Sequence, residues 1–124
     1  MEVPILKQGH YLIASVQSAL TDADLHELRE AITERVGKFR SKGVIVDVTV
    51  LDVMDSFAVR TLRDIAHMTR LRGAETVIVG IQPEVAFQMV QLGLTLKGVA
   101  TALDLEEGLA FLDQRAKEHL TRGR

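Results

Sequence analysis

Two short runs of branched aliphatic residues constrain this chain more than any other feature. Val44-Ile45-Val46-Asp47-Val48 and Thr76-Val77-Ile78-Val79-Gly80 are continuous branched runs without polar alternation at their centres, and strands of that kind must be covered on both faces, as they are in a parallel sheet. Parallel neighbours need a long crossover, usually a helix. Residues 56–71 supply one: Ala58, Leu62, Ile65, Ala66 and Thr69 fall on one stripe at helical spacing, charges occupy the opposite face, and Gly73 follows as a left-handed stop.

The rest of the chain continues the alternation. Residues 4–7 and 11–17 read as strands separated by a turn at Gln8-Gly9-His10, an N-terminal hairpin. From Thr21 the period changes to that of an amphipathic helix, with Leu25, Leu28, Ile32, Val36 and Phe39 recurring every three or four residues and Thr21 with Asp24 forming a capping-box start. Pro83 suits the first turn of a short helix ending near Gly93. Asp104 caps a last helix through Leu105, Leu109, Leu112 and Ala116, and residues 99–101 form a short final strand. The order β-β-α-β-α-β-α-(β)-α, with right-handed crossovers, predicts an α/β domain in which about four helices pack on a mixed sheet. Its 124 residues, 47% of them hydrophobic, suffice for one core, with about two-thirds of the unfolded surface buried. The domain is expected over residues 1–120, followed by a frayed tail at 121–124.

Composition narrows the function classes. Fifteen basic and 17 acidic residues are intermixed for a formal net charge of -2, which leaves no large basic surface for nucleic acid or anionic membrane. Four Phe, one Tyr and no Trp offer little for base stacking. Partners are therefore expected to be proteins. Cysteine is absent, which removes disulfides and thiolate chemistry and fits a cytoplasmic setting. Met1-Glu2-Val3-Pro4 does not begin an export signal, and no run reaches transmembrane length. No phosphate-loop or GxGxxG motif is present, the four histidines lack paired metal spacing, and no nucleophile, base and orienter set is visible. The expectation is a protein without cofactor or metal that is not an enzyme.

Several residues have a plain structural role as well as a functional one. Ser56 before an apolar helix is most simply an N-cap, and Asp47 and Asp55 are turn or capping residues. Asp52 and Asp55 alone are too few ligands for an oxygen-coordinated cation. Arg60, Arg63, Arg70 and Arg72 form either a docking face or a solvated one, with Arg60 and Arg63 nearest Ser56. Gly80 and Gly93 mark either a cleft or a strand end and a helix stop.

The segment 45–62, Ile-Val-Asp-Val-Thr-Val-Leu-Asp-Val-Met-Asp-Ser-Phe-Ala-Val-Arg-Thr-Leu, resembles the strand, loop and helix start of STAS domains, the anti-sigma-factor antagonist family. Its Met54-Asp55-Ser56 core is the specific part. Gly80-Ile81-Gln82-Pro83, Leu92-Gly93-Leu94 and the stretch 101–109 look like the stressosome branch, so the resemblance spans about residues 3–112. Phe57 and Ala58 stand where the usual antagonist pattern has Ser or Thr and then Gly, and the bulky Phe57 is similar to the small stressosome subunit. The resemblance implies a single STAS domain that sequesters a serine kinase of the RsbT type, with a histidine-kinase-like ATPase fold, and releases it once Ser56 is phosphorylated. It further implies larger STAS-domain paralogues and a cognate phosphatase as partners, and Asp52, Asp55, Phe57, Arg60 and Arg63 as the partner-binding surface. Two other readings stay open: direct antagonism of an anti-sigma kinase, and a STAS module that binds a small molecule. A phosphoaspartate receiver is disfavoured, because the first strands offer Ser15, Gln17 and Ser18 in place of an acidic pair. Self-association through a sheet edge or helix face is also expected.

Overall fold

A computed structural model describes residues 2–122. The elements follow as β1 (Ile5–Gln8), β2 (Tyr11–Ser15), α1 (Asp22–Phe39), β3 (Gly43–Asp47), α2 (Ser56–Leu71), β4 (Glu75–Val79), α3 (Pro83–Gln91), β5 (Ala100–Ala102) and α4 (Leu105–Arg122). The five strands lie in sequence order in one sheet. β1 and β2 form the expected antiparallel hairpin, and β2, β3, β4 and β5 are parallel to one another.

The unbroken apolar runs are covered on both faces, and the two-residue period of a strand sorts them. Val44, Val46 and Ile78 join Leu12 and Ala14 in a large cluster with Leu28 and Ile32 of α1, Leu62 and Ile65 of α2, and Val85 and Met89 of α3. Ile45, Val77 and Val79 point to the other face, where they meet Leu112 of α4 with Leu105 and Leu109 beside it. The crossover helices thus share one face while α4 covers the other. Ile45 and Ile78 are fully buried, and burial of such a side chain stabilises the fold by about 1.5–3 kcal/mol.

Helix ends follow the expected chemistry. In α1 the Thr21 hydroxyl accepts the Asp24 amide and the Asp24 carboxylate accepts the Thr21 amide, a complete capping box. α2 closes through Gly73, whose φ of 86° suits glycine: the Gly73 amide donates to the Arg70 carbonyl and that of Ala74 to the Thr69 carbonyl.

Element limits move by one or two residues for local reasons. β1 starts after Pro4, which has no N–H for the ladder, although its carbonyl still accepts the Ser15 amide at 3.1 Å. The last strand starts at Ala100, because the Val99 amide is already committed to the Leu96 carbonyl at 2.9 Å. Helix α4 takes in Thr121 and Arg122; Gly123 and Arg124 of the expected tail lie outside the described residues. Among the described residues no helix is long and apolar enough to cross a membrane.

Candidate functional site

The connection from β3 to α2 leaves the C-terminal end of the parallel sheet, where ligand and partner sites of α/β folds commonly sit. Its residues alternate between anchor and display. Leu51 and Met54 are buried in the main cluster, while Val50, Asp52, Val53, Asp55 and Ser56 are exposed. The two apolar anchors set the path of the loop and leave Asp52 and Val53 between them, and Asp55 and Ser56 after them, turned outward.

Asp55, and not Ser56, caps α2. The backbone of Asp55 is extended (φ -80°, ψ 179°) and its Oδ1 accepts the Ala58 amide at 2.8 Å, which corrects the expectation of a capping serine. Ser56 is instead the first helical residue, exposed, with no hydrogen bond from its hydroxyl among the described residues. The amides of Ser56 and Phe57 have no acceptor within the helix, because they lie in its first turn. A hydroxyl without a partner among the described residues, a fixed carboxylate next to it and two open amides therefore share one corner of the molecule.

The other candidate residues divide into two groups. Asp52 and Arg60 are exposed, and Arg60, four residues after Ser56, lies on the same side of α2. Arg63 is half-buried and donates to the Thr95 carbonyl at 3.4 Å, so it helps hold the segment after α3. Phe57 is likewise half-buried, packed against the main cluster. Among the described residues no three His, Cys, Asp or Glu side chains converge as a metal site would require.

A set of contacts between residues distant in sequence lies behind the loop. Asp47 Oδ1 accepts both the amide of Thr49 at 3.0 Å and its hydroxyl at 2.6 Å, the turn role read for Asp47. The Thr49 carbonyl accepts the side-chain amide of Gln82 at 2.7 Å. Gly80, with φ of 82°, lies directly against Thr49: a Cβ there would run into Thr49 Oγ1 and stand 3.2 Å from Thr49 Cα. The sequence signal was a glycine ending a branched run.

A cavity of about 630 Å³ opens at the opposite end of the sheet, among Tyr11, Lys42, Glu75, Leu112 and Arg115. Arg70 lines it, but Asp52, Asp55, Ser56, Phe57, Arg60 and Arg63 do not. At its wall the Tyr11 hydroxyl donates to Asp113 at 2.6 Å, and Arg115 lies 3.8 Å from both Glu75 and Glu118.

The pattern of STAS domains matches residues 2–108, most of the chain and all of this loop. The chain belongs to the STAS domain family. Within it, the likeness is to stressosome proteins. RsbT co-antagonist protein RsbRA of Bacillus subtilis (strain 168) is 33% identical over 82 residues, 66% of this chain and 30% of RsbRA. The chain spans about a third of the length of the curated relatives it matches. Among solved structures, RsbS of Moorella thermoacetica carrying a serine-to-glutamate substitution superposes with a TM-score of 0.80 at 34% identity, covering 93% of this chain and 97% of that one. A chain from the stressosome, described as a signal integration and transduction hub, gives a TM-score of 0.77 at 35% identity, with 91% and 98% covered. This STAS domain is therefore of the stressosome and anti-sigma-factor antagonist kind, similar to the small RsbS-type subunit along nearly its whole length.

Proposed function

We propose that this STAS domain is a stressosome subunit that holds a serine kinase of the RsbT type and releases it when Ser56 is phosphorylated, so regulating a stress-response cascade. The observation that carries the reading is the exposed Ser56 hydroxyl, without a partner among the described residues, at the first position of α2 beside the fixed carboxylate of Asp55. The name of RsbRA, a co-antagonist of RsbT, and the likeness to RsbS support the choice of partner.

The chemistry is that of a charge switch. A phosphate adds about -1.5 to -2 charges and three acceptor oxygens. At Ser56 it meets the open first-turn amides, which accommodate an anion, so the helix survives. It also stands beside Asp55 and near Asp52. A partner fitted to the neutral hydroxyl would then face concentrated negative charge and a desolvation penalty. Release follows from repulsion without refolding. On this reading the domain acts by binding and not by catalysis, in the cytoplasm, and assembles with larger STAS-domain paralogues, while a phosphatase resets Ser56.

The test is mass spectrometry after incubation with a purified RsbT-type kinase and ATP. Phosphate confined to Ser56 is the expected result; its absence there, with the kinase active on a control substrate, would contradict the proposal.

A further inference from the structure

We infer that the turn after β4 positions the phosphoacceptor loop, with Thr49 as the seat and Gly80 and Gln82 as the parts that hold it. The inference rests on the reading of Ser56 as the phosphoacceptor and adds what keeps Ser56 presented.

Thr49 is exposed, so burial does not fix it. Its polar groups do. The amide and hydroxyl both donate to Asp47 Oδ1, and the carbonyl accepts from Gln82 Nε2 at 2.7 Å. Every backbone and hydroxyl group of this residue thus has a partner within the protein. The strand register makes the contact possible. Asp47 pairs with Val79, and the Val48 amide donates to the Val79 carbonyl at 3.0 Å, which carries the next residues, Thr49 and Gly80, alongside each other. Only a residue without a side chain, in the left-handed region, leaves room there for the threonine.

A second observation points the same way. Gln82 occupies the N-cap position of α3, yet its side chain makes no cap hydrogen bond to that helix. The amide that stands at the start of its own helix reaches instead to the carbonyl of Thr49, 33 residues earlier in the chain. The Ser56 loop is thus secured at its far end by the Asp55 cap and at its near end by the β4–α3 turn, with Leu51 and Met54 inserted between. A kinase that must grip Ser56 in one conformation binds in proportion to the fraction of loops already in it. Loss of the brace should therefore weaken docking and leave the transfer step, once docked, unchanged.

The experiment uses the full chain and four variants. Thr49→Val keeps the shape and removes the hydroxyl; Thr49→Ser keeps the hydroxyl and serves as the conservative rescue. Gln82→Met keeps the length without a donor, and Gly80→Ala crowds Thr49. Hydrogen exchange of residues 49–55 is measured alongside KM and kcat for Ser56 phosphorylation by a purified RsbT-type kinase. Thr49→Val and Gln82→Met are expected to raise exchange roughly fivefold, the weight of one ordinary hydrogen bond, and to raise KM measurably, by up to that factor, with kcat within about twofold and Thr49→Ser like wild type. A folded Gly80→Ala should act in the same direction, and unchanged exchange in it would remove Gly80 from the brace; if it does not fold, Thr49→Val and Gln82→Met carry the test. Unchanged exchange in the first two variants, raised exchange with an unchanged KM, or a Thr49→Ser variant as impaired as Thr49→Val would overturn the inference. If wild-type protein takes no phosphate, the reading of Ser56 fails, and exchange alone decides whether the brace holds the loop.

Discussion

The carboxylate of Asp55 accepts the Ala58 amide at 2.8 Å and so relieves the neighbouring Ser56 of any capping duty. The two residues divide the labour at the start of α2: one closes the helix, the other stands clear of it. This division suits a modification site, because a serine whose hydroxyl held the first turn together would weaken its own helix when consumed. It also fixes a negative charge beside the hydroxyl, where a phosphate would add to it.

The cap assignment separates two neighbouring alanine variants. Asp55→Ala should destabilise the domain by about 0.5–2 kcal/mol, the usual loss for an N-cap, whereas Ser56→Ala, at an exposed site with no hydrogen bond, should stay within about 0.5 kcal/mol of wild type. Urea denaturation of both variants at one pH measures the difference. Equal losses would mean that the serine shares the cap.

Replacement of Ile45 or Ile78 by Asp should prevent folding. Each is fully buried in a central strand, and each faces a different side of the sheet, so an unpaired carboxylate would enter either half of the core. Cooperative wild-type-like thermal melts for both variants would contradict the two-sided burial of β3 and β4.

Tyr11 reports how α4 is seated. Its phenol is pushed up to about 12, chiefly by burial and then by Asp113, whose carboxylate accepts its hydroxyl at 2.6 Å and repels the phenolate. The folded value lies above the ordinary one near 10, so the contribution to stability is complete below that pH and is lost as pH rises through 10 to 12. The chain has one tyrosine and no tryptophan, which makes absorbance near 295 nm a clean readout. The midpoint should lie near 12 in the folded protein, and Asp113→Asn should lower it. A wild-type midpoint near 10 would contradict the contact between α4 and β2.

Much of the fold was legible because single segments carried it. The runs at 44–48 and 76–80 required two-sided cover, and the stripe from Ala58 to Thr69 named the face of α2 that meets them. The site was legible in outline through Met54-Asp55-Ser56. What could not be read there was which residue caps, since Asp and Ser cap about equally well; the buried anchors Leu51 and Met54 settle the phase. The partnership of Thr49 with Gln82 depends on the register of two parallel strands, which no local pattern encodes. Arg63 looked like a free surface charge for the same reason: its partner, the Thr95 carbonyl, belongs to a loop that sequence periodicity does not place.

Charge at position 56 is what the proposed switch turns on. Ser56→Ala removes the acceptor hydroxyl without adding charge, so it should keep the kinase-binding surface and hold the kinase with or without ATP. Ser56→Asp adds about one negative charge where phosphate adds nearly two, so it should weaken the complex in the same direction but less fully. The decisive measurement is the dissociation constant of each folded variant for a purified RsbT-type kinase, titrated at one fixed ionic strength because salt screens part of the repulsion. Tight binding by Ser56→Ala and clearly weaker binding by Ser56→Asp is the expected result; equal affinities for the two would contradict a charge switch at Ser56.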